Sequence, residues 1–173
     1  LLKKSVGSGI ILLLGNDESP MNYADNTYHF RQDSSFLYFF GLDLQGFTGV
    51  MDFDSGKDWI FGNDADMDDI IWMGPQPGVK ELAARCGVTN TAPLAMLEEK
   101  IREALSKRRK VHFLPPYRGE SKMILGSLLK ENPYQMKTLS SVDLIKAVIS
   151  MRSVKEKVEI KEIKKAVDIA YDM

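Results

Sequence analysis

Residues 30–42 read FRQDSSFLYFFGL, and the fold turns on how this run is built. Phe36, Tyr38 and Phe40 alternate as they would in a half-buried strand, yet Phe36, Phe39 and Phe40 also share one face of a helix. The flanking residues favour the helix. Asp33 or Ser34 can accept hydrogen bonds from the first unpaired amides, and Gly41 supplies a C-terminal stop. The run therefore predicts a short helix whose rings enter the core, with Arg31, Gln32 and Asp33 tying its entrance to neighbouring backbone. Rings committed to a core are not a platform for stacking a flat ligand.

Outward from this run, strand-like and helix-like segments alternate. Gly9–Leu14 (GIILLL) is a short apolar run stopped by GNDESP, which reads as a buried strand entering a loop. Residues 47–62, FTGVMDFDSGKDWIFG, place Ser55-Gly56 between two aromatic and β-branched runs, the pattern of a β-hairpin. Val111–Leu114 (VHFL), stopped by Pro115 and Pro116, reads as another strand, and Met136–Leu139 as one more. Four helices are predicted from apolar stripes. Val79, Leu82, Ala83 and Cys86 form the first, closed by Gly87. Leu94, Leu97, Ile101 and Leu105 form the second, opened by Pro93. The third, Ile124, Leu125, Leu128 and Leu129, ends at Asn132-Pro133, and the fourth, Leu144, Ile145, Val148 and Ile149, follows a Ser141 cap. Such alternation predicts an α/β domain, a mixed β-sheet flanked by helices.

The composition narrows the function classes. A chain of 173 residues, 44% hydrophobic, suits one domain, here assigned to residues 1–150. Lys and Arg number 23 against 24 Asp and Glu, for a formal charge of −1, so no global field draws in nucleic acid or an acidic membrane. No apolar run has the roughly 18 to 20 residues that cross a bilayer. Cys86 is the single cysteine, which rules out an internal disulfide and fits a reducing cytoplasm. The opening LLKKSVGSG lacks a methionine, so residues before Leu1 are expected in the natural protein. Residues 151–173 are dense in Lys and Glu, with Ile160, Ile163, Val167 and Ala170 on one stripe. They predict an amphipathic helix in need of a partner, a linker leading into a second domain.

Several residues carry chemistry in other contexts. Asp52 and Asp54, two apart after an apolar run, have the spacing of an aspartate phosphatase, but no partner lysine motif follows and the pair suits a solvent-facing turn. An EF-hand loop counted from Asp64 would need glycine where Asp69 stands and glutamate where Pro75 stands. The acidic run 63–69 is therefore read as a helix N-terminus leading into Ile70-Ile71-Trp72. Gly7-Ser8-Gly9 precedes a strand and so is no dinucleotide loop. His29 and His112 lack metal-ligand spacing, and Lys107–Lys110 reads as a solvated helix end. Trp59 is assigned to the core, while Trp72, before a Gly- and Pro-rich stretch, is placed exposed at a loop tip, where tryptophans serve interfaces.

Three motifs in order resemble one family. Tyr28-His29-Phe30-Arg31-Gln32-Asp33-Ser34-Ser35-Phe36, continuing to Tyr38-Phe39 and Gly41-Leu42, is similar to the Y-x-[FY]-R-Q-[DN]-S-x-F-x-Y-[FL]-x-G segment of aminopeptidase P N-terminal domains, in the creatinase and prolidase superfamily. Trp72-x-Gly74-x-x-x-Gly78 resembles that family's W-x-G-x-x-x-G loop. Met151-Arg152-Ser153-Val154-Lys155 with Glu159-Ile160 resembles its linker to the catalytic domain. His29 departs from the pattern, where the family often has proline. The resemblance implies a non-catalytic domain of an Xaa-Pro aminopeptidase, with no catalytic, cofactor or metal residue of its own. Two divalent metals, usually manganese, would sit in a catalytic domain beyond the linker. That enzyme would release the N-terminal residue from peptides with proline second. The resemblance also implies a homo-oligomer in which Trp72 lies nearest a neighbouring subunit's substrate cleft. A prolidase N-terminal domain, or a stand-alone peptide- or protein-binding module of the same fold, are the alternatives.

Overall fold

A computed structural model describes residues 2–173. Five strands form one sheet: β1 (Ile10–Leu14), β2 (Thr48–Asp52), β3 (Lys57–Phe61), β4 (Asn90–Ala92) and β5 (Val111–His112). Their order across the sheet is β4-β3-β2-β1-β5. β1, β2 and β3 are antiparallel neighbours, while β4 pairs parallel with β3 and β5 parallel with β1. The sheet is therefore mixed, as the alternating pattern predicts. The hairpin turns at Ser55-Gly56, where Gly56 has φ 69°.

Helices cover both faces. Because side chains alternate along a strand, Ile11 and Leu13 enter one apolar cluster and Ile10 and Leu12 the other. The first cluster is closed by α1 (Leu2–Val6), α2 (Ser34–Phe40), α4 (Val79–Arg85) and α8 (Val142–Ser153). The second is closed by α5 (Leu97–Ser106), α6 (Gly119–Leu129) and α7 (Met136–Leu139). Two helices take no part in either cluster: α3 (Met67–Met73) and α9 (Lys157–Tyr171) bury none of their residues.

The quoted run behaves as predicted. Asp33 Oδ1 accepts from the amides of Ser35 and Phe36, both at 2.9 Å, and Gly41 closes α2 in the left-handed region at φ 69°. Phe36 and Phe40 are buried with ring centroids 5.3 Å apart, and Phe39 is half-buried, edge-on to Tyr38.

Elsewhere the structure differs from the sequence pattern. Met136–Leu139 is a helical turn, because Asn132 caps a Pro133-led 3-10 turn that runs directly into it. The strand expected over Val111–Leu114 keeps only Val111 and His112 in the sheet. The stripe of α5 runs through Leu97, Ile101 and Ala104, leaving Leu105 exposed. Trp72 belongs to α3, not to a loop, and α1 and β4 carry too few strong formers to stand out in sequence. No helix among the described residues is long and apolar enough to cross a membrane.

Candidate interaction site

α3 is a helix held by its own caps. Asp66 Oδ1 accepts from the Asp69 amide at 2.9 Å, and Asp69 Oδ2 accepts from the Asp66 amide at 3.1 Å. This reciprocal capping box is the helix N-terminus predicted for the acidic run. The side chains beyond it face water: Met67, Ile70, Ile71, Trp72 and Met73 are all exposed, Trp72 to 87%. Gly74, at φ 77°, ends the helix, and Gly78 precedes α4, whose Val79 amide donates to Asp64 Oδ1 at 2.6 Å. The two glycines of the W-x-G-x-x-x-G pattern thus bracket a short return that offers an apolar helix to solvent. Exposed apolar residues this dense mark an interaction surface.

The entrance to α2 shows a division of labour among the three residues assigned to it. Gln32 is buried and does most of the tying. Its Oε1 accepts from the amides of Asn16 at 2.6 Å and Asp33 at 2.8 Å, and its Nε2 donates to Leu44 O at 2.7 Å. Asp33 is the helix cap. Arg31 departs from the expectation: only its carbonyl takes part, accepting from Asn16 Nδ2 at 2.9 Å, while its side chain is exposed. Gln32→Ala, which strands two buried amides and a carbonyl, is expected to cost about 2 kcal/mol, read from urea unfolding; a loss under about 0.5 kcal/mol would count against this role.

The linker motif reaches the same helix. Arg152, near the end of α8, lies over the Tyr38 ring at 5.2 Å, and its Nη1 donates to Ser34 Oγ at 3.4 Å. The first and third sequence motifs, more than 100 residues apart, therefore meet at α2.

Asp52, Asp54 and Arg109 require a correction. Asp54 does lie in the exposed hairpin turn, but Asp52 does not face solvent, and Arg109 is not a solvated helix end. Asp52 is 2% exposed, on the sheet face that packs against α5. Both its oxygens receive Arg109 guanidinium nitrogens, and Lys100 Nζ stands 3.5 Å away. Arg109 Nε also donates to Asp54 Oδ2 at 2.5 Å, and Asp54 Oδ1 accepts from the Gly9 amide at 3.1 Å. A nucleophilic carboxylate must be reachable by substrate, so this clamp excludes the phosphatase reading. Lys100 also lies over the ring of the half-buried Trp59 at 5.3 Å, and the buried indole N–H has no acceptor among the described residues.

Both histidines prove ordinary. His29 is exposed, and His112 is buried between Ser141 Oγ at 2.7 Å and Ser8 O at 3.1 Å. Burial pushes the His112 pKa down, and a carbonyl partner at Nε2 fixes the proton there. Ser141 then donates to Nδ1 and accepts from the Leu144 amide at 3.3 Å as the cap of α8. Among the described residues no three His, Cys, Asp or Glu side chains gather to hold a metal. The donors of the described residues do not fit a two-metal group.

With this geometry in hand, the comparisons are consistent. The family profile "Aminopeptidase P, N-terminal domain" matches residues 1–113, and the chain belongs to that family. A protein named "Probable Xaa-Pro aminopeptidase" from Aspergillus terreus is 26% identical over 169 residues, covering 98% of this chain and 33% of its own length. The human "Xaa-Pro dipeptidase" is 35% identical over 65 residues, covering 38% of this chain and 13% of its own. Among solved structures, a variant of Escherichia coli aminopeptidase P in complex with substrate superposes with a TM-score of 0.73 at 21% identity, covering 92% of this chain and 38% of that one. The likeness extends the shared fold past the profile match. The chain spans about a third or less of the length of the curated relatives it matches.

Proposed function

We propose that this chain is the non-catalytic N-terminal domain of a metal-dependent Xaa-Pro aminopeptidase, and that it contributes to oligomer assembly and narrows access to the active site. The observation that carries this reading is Trp72, 87% exposed on a helix with no buried residue. A tryptophan is a rigid apolar surface with few rotamers to lose, and such residues dominate the energy of contacts they enter. Its place in the last turn of α3, just before Gly74, lets it project without disturbing either core.

The whole enzyme, on this reading, works in the cytoplasm and releases the N-terminal residue from peptides with proline in second position. Its two divalent metals, most simply manganese, are held by a catalytic domain that follows the linker. Trp72 presses on a neighbouring subunit's substrate cleft and selects for peptide size. A prolidase parent is the second reading, favoured by the partial likeness to the human dipeptidase. Substrate length separates them: an aminopeptidase cleaves tripeptides and longer, a prolidase only dipeptides.

The test uses the longer protein that includes the catalytic domain. Trp72→Ala is expected to lower kcat/KM on an Xaa-Pro tripeptide about tenfold or to shift the assembly to a smaller species in light scattering. The unfolding midpoint should hold within about 0.5 kcal/mol, because the side chain touches no core. Unchanged kinetics together with unchanged assembly would refute the role assigned to Trp72.

A further inference from the structure

β1 and β5 run parallel with their carboxyl ends side by side, the end of an open α/β sheet where ligands gather. β1 leaves through a long connection from Gly15 to Asp33 that holds no helix or strand among the described residues and one isolated β-bridge, between Pro20 and Thr27. β5 leaves toward Tyr117 and Arg118. Between these two exits lies a groove of about 510 Å³. Long irregular connections on a rigid scaffold are favoured places for binding.

Three groups in the groove keep hydrogen-bonding capacity that the fold does not use. Asn16 is 8% exposed and spends its amide protons on Arg31 O at 2.9 Å and Tyr117 Oη at 3.1 Å. No donor among the described residues reaches its Oδ1. The Tyr117 hydroxyl, already accepting from Asn16, retains its own proton for another acceptor. The exposed Arg31 guanidinium has no ion pair or hydrogen bond among the described residues, although its residue anchors the Asn16 amide. Arg118 differs: it is spent on Glu120 Oε2 at 3.0 Å and Asp17 O at 2.9 Å, so it builds the wall. Asp17 adds one carboxylate to the rim, with Oδ1 on the side of Gly46.

A cation, an accepting oxygen and a donating hydroxyl together match the end of a polypeptide better than they match an inorganic anion. We propose that this groove binds the C-terminal residue of a short peptide. The peptide carboxylate pairs with Arg31, the last N–H donates to Asn16 Oδ1, and the preceding carbonyl accepts from Tyr117. Acetate has no N–H for Asn16, and phosphate lacks the apolar body that the exposed Tyr28 ring can cover. The groove involves neither α3 nor Trp72, so its failure would leave the proposed domain function standing.

The test is an NMR titration of the 173-residue chain with tri-alanine, tri-alanine C-terminal amide, acetate and phosphate. Tri-alanine is expected to give saturable shifts at the amides of Asn16, Gln32 and Arg118. The C-terminal amide should bind about tenfold more weakly, and acetate and phosphate no better than that. Arg31→Gln should reproduce the tenfold loss and Tyr117→Phe a loss of about threefold to fivefold. Arg31 is exposed and unpaired among the described residues, so Arg31→Gln should not disturb folding, whereas Tyr117→Phe also removes an acceptor of Asn16 Nδ2 and its fold is checked by circular dichroism. The proposal is overturned if tri-alanine gives no saturable shifts, if its amide or either small anion binds as tightly, or if Arg31→Gln leaves the affinity unchanged.

Discussion

Arg109→Ala is expected to destabilise the domain by about 3 kcal/mol and to raise the pH at which it unfolds in acid. The cause is the position of Asp52 at the end of β2, buried against α5, where once the guanidinium is gone its charge meets only a lysine at 3.5 Å and the amides of Asp54 and Ser55 at 3.1 Å. Burial pushes the Asp52 carboxyl up, but hydrogen bonds from Arg109 and from the Ser55 amide more than offset this and hold it well below the usual carboxylate range. A carboxyl with a depressed folded pKa contributes stability that is fully present above its unfolded pKa of about 4. That contribution fades as pH falls from there toward the folded value. Without Arg109 the largest part of the favourable offset disappears while the burial remains, so acid unfolding starts at higher pH. Urea unfolding at pH 7 and an acid titration followed by circular dichroism measure both effects. Replacing Asp52 and Arg109 together by leucine should recover much of the loss, because two apolar side chains leave no buried carboxylate unpaired. A single variant within about 0.5 kcal/mol of the parent would show that Lys100 alone suffices.

This clamp also shows where sequence reading stops. Arg109 lies more than 50 positions from Asp52 and Asp54, and each has an ordinary local explanation: a turn for the acids, a helix end for the base. Nothing in local pattern distinguishes a solvated carboxylate from one that a later segment will cover. The groove at the ends of β1 and β5 was hidden for the same reason, since Asn16 and Tyr117 are 101 positions apart. By contrast, elements whose information is local were readable. Asp33 and Gly41 bound α2, Ser141 caps α8, Ser55-Gly56 turns the hairpin, and Asp66 with Asp69 starts α3. Met136–Leu139 was misassigned because four residues hold no periodicity, and the decisive signal, Asn132-Pro133, lies outside them. β4 is a strand because β3 offers it a parallel edge, with each of its residues only half-buried. That Trp72 would be exposed followed from the Gly- and Pro-rich stretch behind it. That it would stand on a capped helix was legible as well, since the aspartates before it read as a helix N-terminus leading into Ile70-Ile71-Trp72.

Phe36→Ala should cost about 3–5 kcal/mol, the range for removing a buried aromatic ring, against under about 1 kcal/mol for Tyr38→Ala two positions on. Phe36 is completely buried beside Phe40, in the cluster that joins Ile11 and Leu13 of β1 to Leu144 and Val148 of α8. Removing its ring opens a cavity that a seven-residue helix with both ends fixed cannot collapse to fill. Tyr38 is partly exposed and meets only the edge of Phe39 and the guanidinium of Arg152. The backbone beneath supports the same assignment. A Cβ on Gly49 would stand 2.0 Å from the Phe40 ring, so β2 admits α2 only because that strand position carries no side chain. Gly49→Ala should therefore destabilise by about 1–3 kcal/mol through overpacking from the opposite side. Equilibrium unfolding of the three variants orders them Phe36→Ala, Gly49→Ala, Tyr38→Ala. If Tyr38→Ala cost as much as Phe36→Ala, the aromatic run would owe its place to its exposed face, and the burial of its rings would not be what fixes α2 to the sheet.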